Sequence, residues 1–141
     1  MATYDGMIRT LTGIFLVLTG SCVLESSYDD RLLIINNSNR VICFEYELDG
    51  IPEVPSVNKK QYYINNRIEP GDSTSVEKSG SWTQWIREVS NARDSTLSVF
   101  VFDYGQVMTS DWDSLRSNGM YRRLDFTLED LNRNNWRVIV E

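Results

Sequence analysis

With 141 residues, a net charge of −6 and no histidine, the chain has the size of one domain built on a single core. The missing imidazole removes Ser-His and Cys-His nucleophile pairs, most zinc sites and the usual general base near neutral pH. The acidic balance argues against nucleic acid, whose binding needs clustered Lys and Arg.

In Met7 to Cys22, Arg9 precedes the apolar run Ile14-Phe15-Leu16-Val17-Leu18, and small residues Thr19, Gly20 and Ser21 lead to Cys22. This is the three-part layout of a secretory signal, and the run is far shorter than the roughly 20 apolar residues of a spanning helix. Residues 1–21 are therefore expected to be removed. The Leu18-Thr19-Gly20-Ser21-Cys22 end resembles the lipobox of bacterial lipoproteins, although the leucine stands four residues before the cysteine instead of the usual three. The resemblance implies a lipid on Cys22 as the membrane anchor. Residues 22–141 hold 19 acids and 13 bases, so electrostatic adhesion to anionic lipid is not expected, and attachment would rest on the lipid alone. Acylation of Cys22 would leave Cys43, the only other cysteine, without a disulfide partner. Its run, Val41-Ile42-Cys43-Phe44, suits a buried, inert thiol.

Residues 22–30 form a polar, acidic stretch expected to act as a tether. The domain is expected over residues 31–141. Leu32-Leu33-Ile34-Ile35 and Val41-Ile42-Cys43-Phe44-Glu45-Tyr46 flank Asn36-Asn37-Ser38-Asn39 and read as a hairpin. In the second run Ile42, Phe44 and Tyr46 share an apolar face, while Val41, Cys43 and Glu45 share a mixed one, as expected of a sheet packed mainly on one face. Leu48 to Lys60 carries two of the three prolines and reads as a long loop. Gln61 to Ile68 looks like a strand closed by the turn Glu69-Pro70-Gly71-Asp72, with a short edge strand over Ser73 to Glu77.

Trp82, Trp85, Ile86 and Val89 stand at i, i+3, i+4 and i+7, the spacing of a helix with Ser81 as a candidate cap. Thr96 to Phe102 predicts a central strand covered on both sides, with Leu97, Val99 and Val101 facing one way and Phe100 and Phe102 the other. Ser110 to Gly119 predicts a short helix capped by Ser110 and ended by Gly119. Met120 to Phe126 is strand-like. Thr127 caps a helical turn through Leu131, which Asn132 to Asn135 break, and Trp136 to Val140 forms a terminal strand. No internal repeat or low-complexity segment is present.

Three segments, Ile35-Asn36-Asn37-Ser38, Leu97 to Asp103, and Tyr121 to Leu131 before Asn135-Trp136, resemble a group of small uncharacterised lipoproteins of gut Bacteroidota. The likeness includes a tryptophan shortly after the central strand, here Trp112. It implies an envelope-anchored domain at the cell surface or in the periplasm, and it carries over no catalytic or binding residue. In that phylum acidic residues just after the lipidated cysteine can mark export to the outer surface, and Glu25, Asp29 and Asp30 loosely match.

Among chemical candidates, Asp103, Asp111 and Asp113 match no calcium loop, so no metal or other cofactor is expected. Hydrolysis needs two acids facing each other across a cleft, which is a property of the fold and not of sequence spacing. Tyr62, Tyr63, Trp82, Trp85, Trp112, Tyr104 and Trp136 could stack on a sugar ring. Of these Tyr62 and Tyr63 are the favoured ligand-facing pair, because neighbouring strand residues point to opposite faces. The expected fold is mainly β, an antiparallel sandwich or twisted sheet with two or three short helices, with α+β as the alternative. The expected function is non-enzymatic: a protein lipid-anchored in the outer membrane, presenting a small binding domain to a glycan or an envelope protein. The alternatives are a structural accessory subunit of a surface assembly and a carboxylate-based hydrolase.

Overall fold

The computed structural model describes residues 27–51 and 59–141. Its strands are β1 (Ser27–Asn36), β2 (Ile42–Glu47), β3 (Ser73–Gly80), β4 (Thr96–Asp103), β5 (Arg122–Thr127) and β6 (Arg137–Val140). Its α-helices are α1 (Lys59–Asn65), α2 (Gln84–Asn91), α3 (Tyr104–Thr109), α4 (Trp112–Ser117) and α5 (Leu128–Arg133). β1 lies between antiparallel β3 and parallel β6 in one sheet, and β4 lies between antiparallel β2 and β5 in the other. The two packed sheets are as expected. The helical content exceeds the expected two or three helices, and one strand pairing is parallel.

β4 explains the layering. Its Leu97, Val99 and Val101 meet Leu32 and Ile34 of β1, Val138 and Val140 of β6, Trp85 and Val89 of α2, and Leu131 of α5. Its Phe100 and Phe102 point the other way, into a second cluster with Cys43, Tyr63, Val107, Trp112 and Leu115. The β2-β4-β5 sheet is thus a wall between the β3-β1-β6 sheet on one side and helices α1, α3 and α4 on the other. Each fully buried large side chain in this arrangement contributes roughly 1.5–3 kcal/mol.

Local chemistry sets several element ends. Asp103 accepts from Gln106 N at 3.1 Å and starts α3, while Asp111, rather than Ser110, accepts from Ser114 N at 3.0 Å and starts α4. Thr127 and Asp130 form a reciprocal capping box on α5. Gly119 (φ +63) ends α4, letting Met120 N donate to Leu115 O at 2.8 Å. Asn135 (φ 51) does the same after α5, where Trp136 N donates to Leu131 O at 2.7 Å. Asp72 N donates to Glu69 O at 3.0 Å across a turn whose Gly71 has φ +84, the conformation the Pro-Gly pair favours.

Four sequence expectations are corrected. The runs around Asn36 to Asn39 are strands, but β1 and β2 lie in different sheets, so they are not a hairpin. The reason is Asn36, fully buried, whose side-chain amide donates to Arg40 O at 2.7 Å and Ile68 O at 2.9 Å while its oxygen accepts from the Ser38 hydroxyl at 2.6 Å. These bonds turn the chain through a corner between sheets. Gln61 to Ile68 is not a strand: α1 occupies its first part, because helical spacing places both Tyr63 and Ile64 against the second cluster. Only Ile68 keeps a strand-like bridge, to Ile42. β2 is covered on both faces, since Cys43 and Glu45 on its mixed side are buried. Finally, the expected tether overlaps β1, which begins at Ser27. Cys22, the signal and residues 52–58 of the expected loop lie outside the described residues.

Asp29 explains why β1 starts so early. The residue is only 2 % exposed, accepts Trp85 N–H at 2.8 Å and pairs with Arg31 Nε at 2.6 Å. A carboxylate from β1, not Ser81, therefore satisfies an orphan amide in the first turn of α2, where negative charge also complements the helix dipole. Arg31 in turn donates to the Trp82 carbonyl and lies 5.3 Å from the Trp136 ring centroid. Replacing Asp29 by Ala leaves the α2 amide unsatisfied and Arg31 without its carboxylate, and is expected to lower stability by about 3 kcal/mol in urea unfolding. A loss below about 0.5 kcal/mol, the range of ordinary surface substitutions, would contradict this role.

Candidate ligand cleft

A cleft of about 680 Å³ opens between the two sheets, walled by the edge of β2, the edge of β3 and the side of α1. Its origin is a strand pairing that stops early. Ile42 exchanges backbone bonds with Ile68, N to O at 3.1 Å and back at 2.8 Å, after which the chain leaves for the Glu69–Asp72 turn. Antiparallel alternation then aims the backbone amides and carbonyls of Phe44 and Tyr46, like those of Ile42, at this open edge.

Side chains follow from the same alternation. Phe44 and Tyr46 pack toward the first core cluster, while Glu45 and Glu47 project toward the α1 side. α1 contributes Tyr62, Tyr63 and Asn66 to the lining, and β3 contributes Thr74 through Glu77 from the facing wall. Carboxylates, amide and hydroxyl groups thus ring an aromatic rim.

The two favoured tyrosines have different fates. Tyr62 is 61 % exposed at the cleft mouth. Tyr63 is buried, stacks on Trp112 at 4.9 Å and 11°, and donates its hydroxyl to Glu45 Oε1 at 3.1 Å. Burial first, then the neighbouring Glu45 charge and hydrogen bond, raise the Tyr63 pKa above the ordinary phenol value. Tyr62 meets Tyr63 edge to face at 5.5 Å, so the exposed ring rests on a fixed one. Lys60 Nζ, which donates to Ser110 O at 2.5 Å, ties α1 to the start of α4.

The other aromatic candidates do not join them. Trp85, Trp112 and Trp136 are buried, with the Trp85 indole donating to Val76 O at 2.8 Å and that of Trp136 to Asn132 Oδ1 at 3.0 Å. Tyr104 is half-buried under Arg67, and Trp82 is exposed at the far end of β3. The expected stacking surface therefore reduces to Tyr62. Asp103 and Asp111 are helix caps, and Asp113 pairs with Arg116 at 3.8 Å. No group of three or more His, Cys, Asp or Glu is placed to hold a metal among the described residues. The Cys43 thiol is buried, and desolvation pushes its pKa up to about 12.

Glu45, Asn66 and the β3 wall were not singled out in the sequence. The one local signal was an acid, Glu45, inside an apolar strand. No protein-family model, curated protein or solved structure matches the chain.

The burial difference separates two substitutions. Tyr63→Ala removes a stacked, buried ring and is expected to cost about 3–5 kcal/mol in urea unfolding, whereas Tyr62→Ala is expected to stay within about 0.5 kcal/mol. Equal costs would contradict the placement of the two rings.

Proposed function

We propose that this protein is a non-enzymatic, lipid-anchored protein of the cell envelope whose cleft binds a neutral glycan. The observation that carries the reading is Tyr62, an exposed aromatic face braced by Tyr63 at the mouth of a cleft rich in hydrogen-bonding groups. A sugar ring presents an apolar face for stacking and hydroxyls at its rim. Carboxylates accept from those hydroxyls, the Asn66 amide both donates and accepts, and the open β2 edge offers backbone groups of both kinds.

Glu45 and Glu47 are neighbours on one strand face, and Glu77 stands on the facing β3 wall. Glu45 already receives the Tyr63 hydroxyl, which favours it as an acceptor that holds a sugar over one of the two carboxyl groups that hydrolysis places on either side of the bond. The anchor rests on Cys22 and its lipobox-like setting.

Titration of the full chain with soluble gluco-, xylo-, manno- and galacto-oligosaccharides, followed by calorimetry, tests the site. At least one series is expected to bind, and Tyr62→Ala is expected to weaken it about tenfold, equivalent to roughly 1.4 kcal/mol. Absence of binding, or affinity indifferent to Tyr62, would overturn the glycan reading, and release of new reducing ends would replace it with the hydrolase. Cys22→Ala is expected to leave the protein unacylated and out of the membrane fraction. Membrane retention of that variant would refute the anchor.

A further inference from the structure

A second aromatic pair lies outside the cleft. Trp82 is 72 % exposed and Tyr28 is 52 % exposed. Trp82 alone of the four tryptophans is exposed, the others being at most 6 % exposed. The strand register places both residues at one end of the β3-β1-β6 sheet. Tyr28 pairs with Ser79 and Ser27 with Gly80, two residues before Trp82. The Ser27 hydroxyl donates to Gly80 O at 2.7 Å, and Arg31 grips the Trp82 carbonyl. The backbone behind both rings is therefore fixed while the rings themselves face outward.

This is also the end at which the chain arrives from Cys22. Five residue steps separate Cys22 from Ser27, a span of at most about 18 Å when fully extended. A lipid on Cys22 therefore holds this end of the domain close to the headgroups. Trp and Tyr partition to that depth, with the ring body in the apolar boundary and the N–H or O–H in water. The cations nearest the two rings are already engaged, Arg31 by Asp29 and the Trp82 carbonyl and Lys78 by Glu88 at 2.7 Å, so an aromatic seat fits this surface where a basic one does not.

We infer that Tyr28 and Trp82 form a membrane seat that rests the lipid-anchored domain on the bilayer surface. The inference depends on the anchor reading of Cys22. It extends the sequence expectation of attachment by lipid alone, and it gives the domain an orientation. Along β3 the cleft residues Thr74 to Glu77 lie two to five positions beyond Ser79, up to about 17 Å from it.

The test uses full-length protein expressed in a bacterial host, extracted from its membranes and reconstituted into vesicles of phosphatidylethanolamine and phosphatidylglycerol, with or without bromine in the acyl chains. The expected result is co-flotation with both vesicle types and weaker tryptophan emission on the brominated ones. Trp82→Phe is expected to abolish that difference without changing co-flotation or the melting temperature. Co-flotation with equal emission on both vesicles would overturn the seat and leave the anchor standing. Failure to co-float would overturn the anchor and the seat with it. Quenching that survives in Trp82→Phe would assign the membrane contact to another part of the molecule and overturn the proposal.

Discussion

The rest of the structure depends on β4 being covered on both faces. A strand with Leu97, Val99 and Val101 on one side and Phe100 and Phe102 on the other has no polar face to give to water, so each face needs its own layer. The β3-β1-β6 sheet with α2 and α5 supplies one, and α1, α3 and α4 supply the other. Ser98, the one polar residue inside the strand, is satisfied by Asp125 of β5 at 2.7 Å, and Arg123 approaches both groups. Burial raises the Asp125 pKa, and the hydrogen bonds from Arg123 and Ser98 outweigh it, so the carboxyl titrates below its ordinary value.

Three layers on so short a chain leave strand edges unfinished. Among the described residues, β2 has β4 on one side and, on the other, a single bridge to Ile68, while β3 has β1 on one side alone. The two edges face each other across a gap that α1 closes on one flank. Natural sheets usually blunt such edges with charge, proline or a covering element. Here the charged residues of the cleft lining are Glu45, Glu47 and Glu77, and the same acids that discourage edge pairing are the groups a sugar would use. The gap and the chemistry of its lining thus have a common origin in the way β4 divides the core. The end of the molecule that carries Trp82 is set differently, by Asp29 and Arg31, which fix the junction between β1, β3 and α2.

Features whose cause is local were legible in the sequence. The alternation in Thr96 to Phe102, the Thr127 cap, the Pro70-Gly71 turn and the break of α5 within Asn132 to Asn135 each need only their neighbours. Features whose cause is distant were not. Asn36 looks like a hairpin turn residue, and only its bond to Ile68 O, 32 residues on, makes it a corner between sheets. Tyr62-Tyr63-Ile64 has the composition of a strand, and burial of Tyr63 against Trp112 overrides that preference to give a helix. Ser81 and Ser110 were plausible caps on residue type, but Asp29 and Asp111 took those places. In the cleft, Tyr62 could be named from the sequence, while Glu45 and the β3 wall needed the pairing of strands far apart in the chain.

Hydrogen exchange of the backbone amides, followed by NMR on the folded protein, tests the division of the core by β4 most directly. The account requires the β4 amides of Leu97 to Phe102 to exchange only through global unfolding, with a protection free energy equal to that from urea denaturation, and slower than the outward amides of β2 and β3 that line the cleft. Faster exchange in β4 than in β1, or two separate unfolding steps for the two hydrophobic clusters, would mean that β4 is not the wall they share.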